Sequence, residues 1–186
     1  METLGNSFGR TEKSYGSGKN VWNKILHKYP VGGSLDITNI NDGTLIPAGS
    51  MVKLALATHV ITLVNAKTIA DVTAYSASKA SYAVGDIVKE SNKIYKCKTA
   101  ISAAEAFTAS KWDEITVDEL NSLSEDIQAV NGFLAHDIIV NKTNVTDAYF
   151  TGDVVYAGMI YSDRLDYKIP SKVLANLPQI VEYNEI

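Results

Sequence analysis

The stretch Gly43-Thr-Leu-Ile-Pro-Ala-Gly-Ser-Met-Val-Lys-Leu54 predicts a strand, a tight turn and a second strand. Pro47 presets the φ angle that the turn needs, and Gly49 can adopt the left-handed conformation that closes it. The β-branched run Val60–Val64 comes next and suits a buried strand. Further strands are predicted at 133–140, 152–161 and 179–183. We therefore expect a mainly β protein with short helices.

Two segments predict the short helices. Thr116 and Glu119 fit a capping box at the start of a helix that Asn131-Gly132 would end. Its apolar residues are close to helical spacing: Val117, Leu120, Leu123, Ile127 and Val130. The segment Pro170–Leu177 predicts a second, amphipathic helix with proline near its first turn.

Residues 71–115 have their own pattern, rich in aromatic side chains. Gly85–Val88 and Lys93–Cys97 alternate in polarity around Ser91-Asn92, which indicates a β-hairpin. The rings are Tyr75, Tyr82, Tyr95, Phe107 and Trp112. They could form the small core of a separate module, or they could be exposed and stack on sugars or anchor protein contacts. Trp112 and Tyr75 are the best candidates for exposure.

The first 33 residues differ in composition from the rest of the chain. They hold six of the twelve glycines and a local charge of +3, although the whole chain carries −4. Their apolar side chains are too many for a solvated tail, so we expect an arm that becomes ordered against a partner. The alternative is a disordered leader that ends in one short helix around Val21–Lys28.

Composition excludes several classes of protein. With 186 residues, 46% of them hydrophobic and 20% charged, the chain can form a packed core. Its acidity argues against nucleic acid as a partner, and no apolar stretch is long enough for a membrane-spanning helix. Met1–Asn20 has no apolar run typical of a signal peptide, so we expect synthesis in a cytoplasm.

Catalytic and metal-binding patterns are also missing from the sequence. One cysteine excludes a disulfide framework and an all-cysteine metal site. His27, His59 and His136 do not have metal-ligand spacing. Cys97 lies in an alternating run, where a buried inert thiol is expected, although a Cys97–His136 dyad stays open as an alternative. We expect no enzyme activity, no metal site and no cofactor.

The 71–115 segment resembles a known family of small β modules. The matching residues are Tyr82, Gly85-Asp86, Val88, Tyr95, Cys97 and Trp112. They are similar to carbohydrate-binding modules of the chitin-binding type, which occur in bacterial glycosidases and phage virion proteins. The resemblance implies a three-stranded β module inserted at a surface, with Tyr75, Tyr95 and Trp112 as candidate glycan-binding residues.

The remainder resembles phage head fibre and capsid decoration proteins, notably those of crAss-like and related Bacteroidetes phages. The matching stretches are residues 19–33, 43–49, 132–137, 152–161 and the 169–178 ending. The resemblance implies a β-tulip or barrel-like core. That core would be discontinuous, at 34–70 and 116–165, interrupted by the 71–115 module and followed by a short helix and strand at 166–186.

The same resemblance implies a place and partners for the protein. It would lie on the outer capsid surface of a virion, bound to the major capsid protein, as a homo-oligomer that is a trimer or a dimer. Residues 1–33 would be the capsid-binding arm, with contacts through Phe8, Arg10, Tyr15, Trp22, Ile25 and Tyr29. A glycan-binding protein that acts through residues 71–115 is the alternative.

Overall fold

The computed structural model describes residues 20–142 and 150–183, which divide into two compact units. Unit 1 comprises residues 20–63, 131–142, 150–166 and 179–183, and unit 2 comprises 64–130 and 167–178. The mainly β prediction is confirmed. The strands are β1 (Trp22–Lys28), β2 (Gly33–Leu35), β3 (Leu45–Ile46), β4 (Met51–Ala55), β5 (Val60–Leu63), β6 (Ile87–Glu90), β7 (Lys93–Cys97), β8 (Trp112–Ile115), β9 (Gly132–Leu134), β10 (Ile138–Ile139), β11 (Phe150–Gly152), β12 (Val154–Tyr161) and β13 (Ile180–Tyr183). The described α-helices are α1 (Val117–Ser122), α2 (Glu125–Gln128) and α3 (Ser171–Asn176), and short 3-10 helices lie at Ile69–Asp71, Ala109–Lys111 and Ser162–Arg164.

Unit 1 is built on one large mixed sheet in the order β1-β12-β9-β4-β5-β2-β11. Its longest strand is β12, which pairs with β9 through its first two residues and in parallel with β13 through its last four. β1 runs antiparallel to β12. Within the described residues the order ends at β1 and β11 and does not close into a barrel.

The predicted turn at Pro47–Ser50 is confirmed. The Ser50 N–H donates to Pro47 O at 3.2 Å, and Gly49 has a φ angle of +79°. A Cβ at Gly49 would also lie 2.8 Å from Leu165 Cδ2, so strain and space both require glycine. The two flanking strands do not pair with each other, because β3 pairs with β10 and β4 enters the large sheet.

The structure differs from the predicted arm over residues 22–28, which form β1 of the large sheet. Trp22 is only 7% exposed, and its indole Nε1 donates to Leu134 O at 3.1 Å. The alternative of a short helix around Val21–Lys28 is wrong. The cause is long-range pairing with β12, which overrides local preference. Phe8, Arg10 and Tyr15 lie outside the described residues.

Unit 2 contains the three-stranded antiparallel sheet β6-β7-β8. Its predicted hairpin is confirmed: Ser91 and Asn92 have φ angles of +50° and +62°, as a tight hairpin turn requires. The capping box is confirmed as well, since Thr116 Oγ1 accepts from the Glu119 N–H at 3.1 Å. The single helix expected after Thr116 is instead two, because Ser124 has an extended conformation between α1 and α2.

The insertion is larger than the predicted 71–115 segment. All of 64–130 belongs to unit 2, together with α3, which was expected to follow the core. Hydrogen bonds link these helices: Ser171 N–H donates to Asp118 Oδ1 at 2.8 Å, and Asn176 Nδ2 donates to Gln128 O at 2.9 Å. The side-chain amide of buried Asn121 accepts from the Lys67 N–H and donates to the Lys67 carbonyl, so it links α1 to the segment before β6. Leu120 of α1 covers the second apolar face of the unit 2 sheet, and α3 packs against α1 and α2.

Candidate functional site

The alternation of β7 divides the interior of unit 2 between two faces of its sheet. Tyr95 and Cys97 point to one face and Ile94 to the other. The first face carries what we call the aromatic cluster: Tyr75, Tyr82, Tyr95, Phe107 and Trp112, packed with Val88, Cys97 and Ile101. The second face carries an aliphatic cluster of Ile69, Val72, Ile87, Ile94, Ile115 and Leu120.

Trp112 lies at the centre of the aromatic cluster. Its ring centroid is 5.6 Å from that of Tyr75 and 5.3 Å from that of Tyr82, both edge to face, and 5.8 Å from that of Phe107. It is 3% exposed, so the prediction of an exposed Trp112 is wrong. Tyr82 is buried too. The interpretation of these two rings as core is confirmed, and Trp112 cannot stack on a sugar in this conformation.

The outer part of the aromatic cluster reaches the surface. Tyr75, Tyr95 and Phe107 are half-buried, and the Tyr95 and Phe107 centroids lie 4.9 Å apart. The Tyr75 hydroxyl donates to Glu105 O at 2.9 Å, and desolvation raises the pKa of Tyr75. Of the three candidate glycan-binding residues, Tyr75 and Tyr95 are therefore partly exposed, whereas Trp112 is buried.

An open groove lies beside the aliphatic cluster, with a volume of about 410 Å³. It is lined by Ile69, Asn92, Lys93, Ile94, Glu114, Ile115, Thr116 and Val117. On its rim Lys93 Nζ lies 2.8 Å from Glu114 Oε2, and this hydrogen bond raises the pKa of Lys93. The groove could not be predicted from sequence because its lining comes from three separate segments. The apolar residues Ile69, Ile94 and Ile115 are the only signal of it in the sequence.

Three carboxylates hold the helical parts of unit 2 by accepting backbone hydrogen bonds. Asp71 and Glu119 close capping boxes with Thr68 and Thr116, and Asp118 accepts from Ser171. In each case the backbone hydrogen bond, followed by a side-chain one, lowers the pKa of the carboxyl below its ordinary value. These bonds are stronger when the carboxyl is ionised, which makes this part of unit 2 sensitive to acid.

We expect unit 2 to lose stability when the pH falls below about 4. The ordinary pKa values are 3.8 for Asp71 and Asp118 and 4.5 for Glu119, and each is lower in the folded state. The stabilisation is therefore complete above the unfolded values and is lost as the pH passes through the folded ones. The urea midpoint, followed by near-ultraviolet circular dichroism of the aromatic cluster, measures it. Asp118→Asn should weaken the pH dependence, and an unchanged dependence would contradict this assignment.

In unit 1, the candidate arm residues that the structure describes lie on or beside β1. Trp22 faces the interior, whereas Ile25 and Tyr29 are half-buried. The Tyr29 hydroxyl donates to Asn131 O at 3.3 Å, and its ring centroid is 4.9 Å from that of Tyr156. Lys24 and other exposed side chains of β1 stay available to a partner, but Trp22 does not.

The residues considered for catalysis have structural surroundings. Cys97 is buried and its Sγ–H donates to Thr99 O at 3.2 Å, which confirms the expected buried thiol. His136 is exposed and belongs to unit 1, whereas Cys97 belongs to unit 2. Among residues 20–142 and 150–183, no group of His, Cys, Asp or Glu side chains could hold a metal ion. No helix in that part is long and apolar enough to span a membrane.

The candidate surfaces are thus the outer rings of the aromatic cluster, the groove of unit 2 and the exposed side of β1. Comparisons of the chain with protein-family models, with curated proteins and with solved structures found no match.

Proposed function

We propose that this chain is a structural virion protein, a head fibre or decoration subunit that binds the outside of the major capsid shell. It is made in the host cytoplasm, has no enzymatic role, and forms a homo-oligomer, a trimer rather than a dimer. Unit 2 is the part that it displays outward. The observation that carries the proposal is the junction at residues 20–22, where a glycine-rich segment that contains Phe8, Arg10 and Tyr15 meets a firmly fixed strand.

The junction is fixed by backbone and side-chain contacts. The Tyr161 N–H donates to Val21 O at 2.8 Å, and Arg164 Nη1 donates to Asn20 O at 2.7 Å. Val21 and Trp22 are both buried. A segment that starts from a rigid base loses less freedom on binding than one that starts from a flexible base. Residues 1–19 are therefore well placed to act as the capsid-binding arm, with Phe8, Arg10 and Tyr15 as contacts.

The order of strands supports a β-tulip-like core. Three of the stretches that resemble decoration proteins form β4, β9 and β12 or lead into them, and these strands are consecutive neighbours in the large sheet. The turn that precedes β4 has the geometry that its proline and glycine predict. We therefore propose that unit 1 is such a core, with residues 64–130 of unit 2 inserted between β5 and β9 and its α3 segment between β12 and β13.

Deletion of residues 2–19 should abolish capsid decoration without unfolding unit 1. A cut at residue 30 would remove β1 and buried Trp22, so it would confuse binding with folding. We expect the affinity for purified capsids, measured by co-sedimentation, to fall at least about tenfold, since aromatic and arginine contacts dominate interfaces. A Gly/Ser segment of equal length in place of 2–19 controls for chain length. Undiminished decoration would exclude the arm role.

The half-exposed rings of unit 2 favour glycan binding as a second candidate. Tyr95 and Phe107 lie near each other at the surface, and rings in this position can stack on sugar faces. On a glycan array we expect wild type to bind and Tyr95→Ala to lose binding. Val84→Ala is the matched control, because Val84 is 64% exposed and lies outside the aromatic cluster. If the wild-type protein bound no glycan on the array, this candidate function would be excluded.

A further inference from the structure

The sequence contains one Asn-Gly pair, Asn131-Gly132, at the start of β9. In such a pair the glycine nitrogen can attack the asparagine Cγ with little hindrance, because glycine has no side chain. A bond forms between that nitrogen and Cγ, and ammonia leaves. One water molecule then opens the succinimide ring to aspartate or isoaspartate. The reaction needs water alone and no enzyme.

The structure requires both residues of this labile pair. A Cβ on residue 132 would lie 2.3 Å from Val154 Cγ1 and 2.9 Å from Val155 O, so β9 can approach β12 only with glycine there. Asn131 pairs with the backbone of Leu54 in β4: its Oδ1 accepts from the N–H at 2.8 Å, and its Nδ2 donates to the carbonyl at 2.9 Å. An amide side chain supplies that donor and that acceptor on two separate atoms, whereas an ionised carboxylate supplies acceptors alone.

The same bonds hold Asn131 away from the reactive geometry. Its N–H donates to Val52 O at 3.1 Å, and its carbonyl accepts from the Tyr29 hydroxyl at 3.3 Å. Both ends of the side-chain amide are engaged by Leu54, so Cγ must break these bonds before it can meet the Gly132 nitrogen. We propose that Asn131 is a spontaneous deamidation site that reacts only when β9 separates from β4.

Reaction at Asn131 makes that separation permanent. Aspartate has no donor for Leu54 O and places a carboxylate oxygen against it instead. Isoaspartate adds one carbon to the backbone, which shifts the pairing of β9 with β4 and β12. Each opening of β9 therefore gives Asn131 a chance to react, and the fraction of chains with a folded unit 1 falls with time.

The test compares rates in the full chain at mildly alkaline pH, folded and in urea. Peptide mapping by mass spectrometry follows Asn131, with exposed Asn92 as the internal reference. The deamidation rate of Asn131 is expressed as a ratio to that of Asn92. We expect this ratio to be lower in the folded chain than in urea by a factor on the order of a hundred or more, because Asn131 reacts only in the open population. Equal relative rates in the two states would overturn the proposal.

Asn131→Asp tests the consequence, with Asn92→Asp as the matched control. We expect the first variant to lower the urea midpoint of unit 1 or to prevent its folding, and the second to leave it unchanged. A fully stable Asn131→Asp protein would overturn the claim that the reaction keeps β9 separated from β4. The rate comparison uses the wild-type chain, so it stays decisive even if the variant does not fold.

Discussion

Replacement of Trp22 by alanine should lower the free energy of unfolding of unit 1 by roughly 3–5 kcal/mol. The change removes a buried indole that lies edge to face with Phe133, at a centroid distance of 6.3 Å, and leaves Leu134 O without its side-chain donor. Domains are stable by roughly 5–15 kcal/mol, so a large part of unit 1 could be unfolded in this variant. Urea titration followed by far-ultraviolet circular dichroism measures the effect.

Leu26→Ala is the control for this prediction. Leu26 lies on the same strand but is 50% exposed, so we expect a change within about 0.5 kcal/mol. If Trp22→Ala were as stable as wild type, Trp22 would not be part of the core of unit 1. The assignment of Trp22 to the capsid-binding arm would then be restored.

Replacement of Trp112 by alanine should have a similar effect on unit 2, roughly 3–5 kcal/mol. The aromatic cluster has few large side chains besides its five rings, and Trp112 touches three of the other four. We expect loss of near-ultraviolet circular dichroism and faster proteolysis within 64–130. Val84→Ala should change neither. A stable Trp112→Ala protein would show that the cluster is not the core of the unit.

Phenylalanine at the two positions separates hydrogen bonding from packing. Trp22 Nε1 donates to Leu134 O, whereas Trp112 Nε1 is buried with no acceptor among the described residues. Trp22→Phe should therefore cost about 1 kcal/mol more than Trp112→Phe. Urea titration followed by circular dichroism measures the cost of each change. The chain has two tryptophans, one in each unit, so the tryptophan fluorescence of each variant reports the unchanged unit as an internal control.

Local chemistry accounts for the parts of the fold that could be predicted from sequence. The Pro47–Gly49 turn, the Ser91-Asn92 hairpin and the Thr116 capping box each depend on residues a few positions apart. The first strand could not be predicted in this way. β1 pairs with residues more than 120 positions away, and three irregularities of register disturb its alternation. Its pattern therefore resembled a short helix or an arm.

The candidate site shows the same limit. Alternation places Tyr95 and Cys97 on one face of β7, and that much follows from sequence. The position of Trp112 does not follow from sequence. It depends on the pairing of β8 with β7, which places Trp112 opposite Cys97, and on the loops before β6, which contribute Tyr75 and Tyr82. Burial of the largest ring therefore depends on contacts between segments about 30 residues apart. The placement of α3 in unit 2 likewise depends on a long-range contact, the hydrogen bond from the Ser171 N–H to Asp118.

The pairing of β12 with β1 and β13 has a consequence for synthesis on the ribosome. β1 is made first and must wait for β12, and β12 in turn pairs with β13, the last strand of the described residues to emerge. Unit 2 is also incomplete until α3 has left the ribosome. Neither unit can therefore finish folding while the first two thirds of the chain are being translated. The nascent chain carries unpaired strands for most of that time, which is when chaperones would have to protect it.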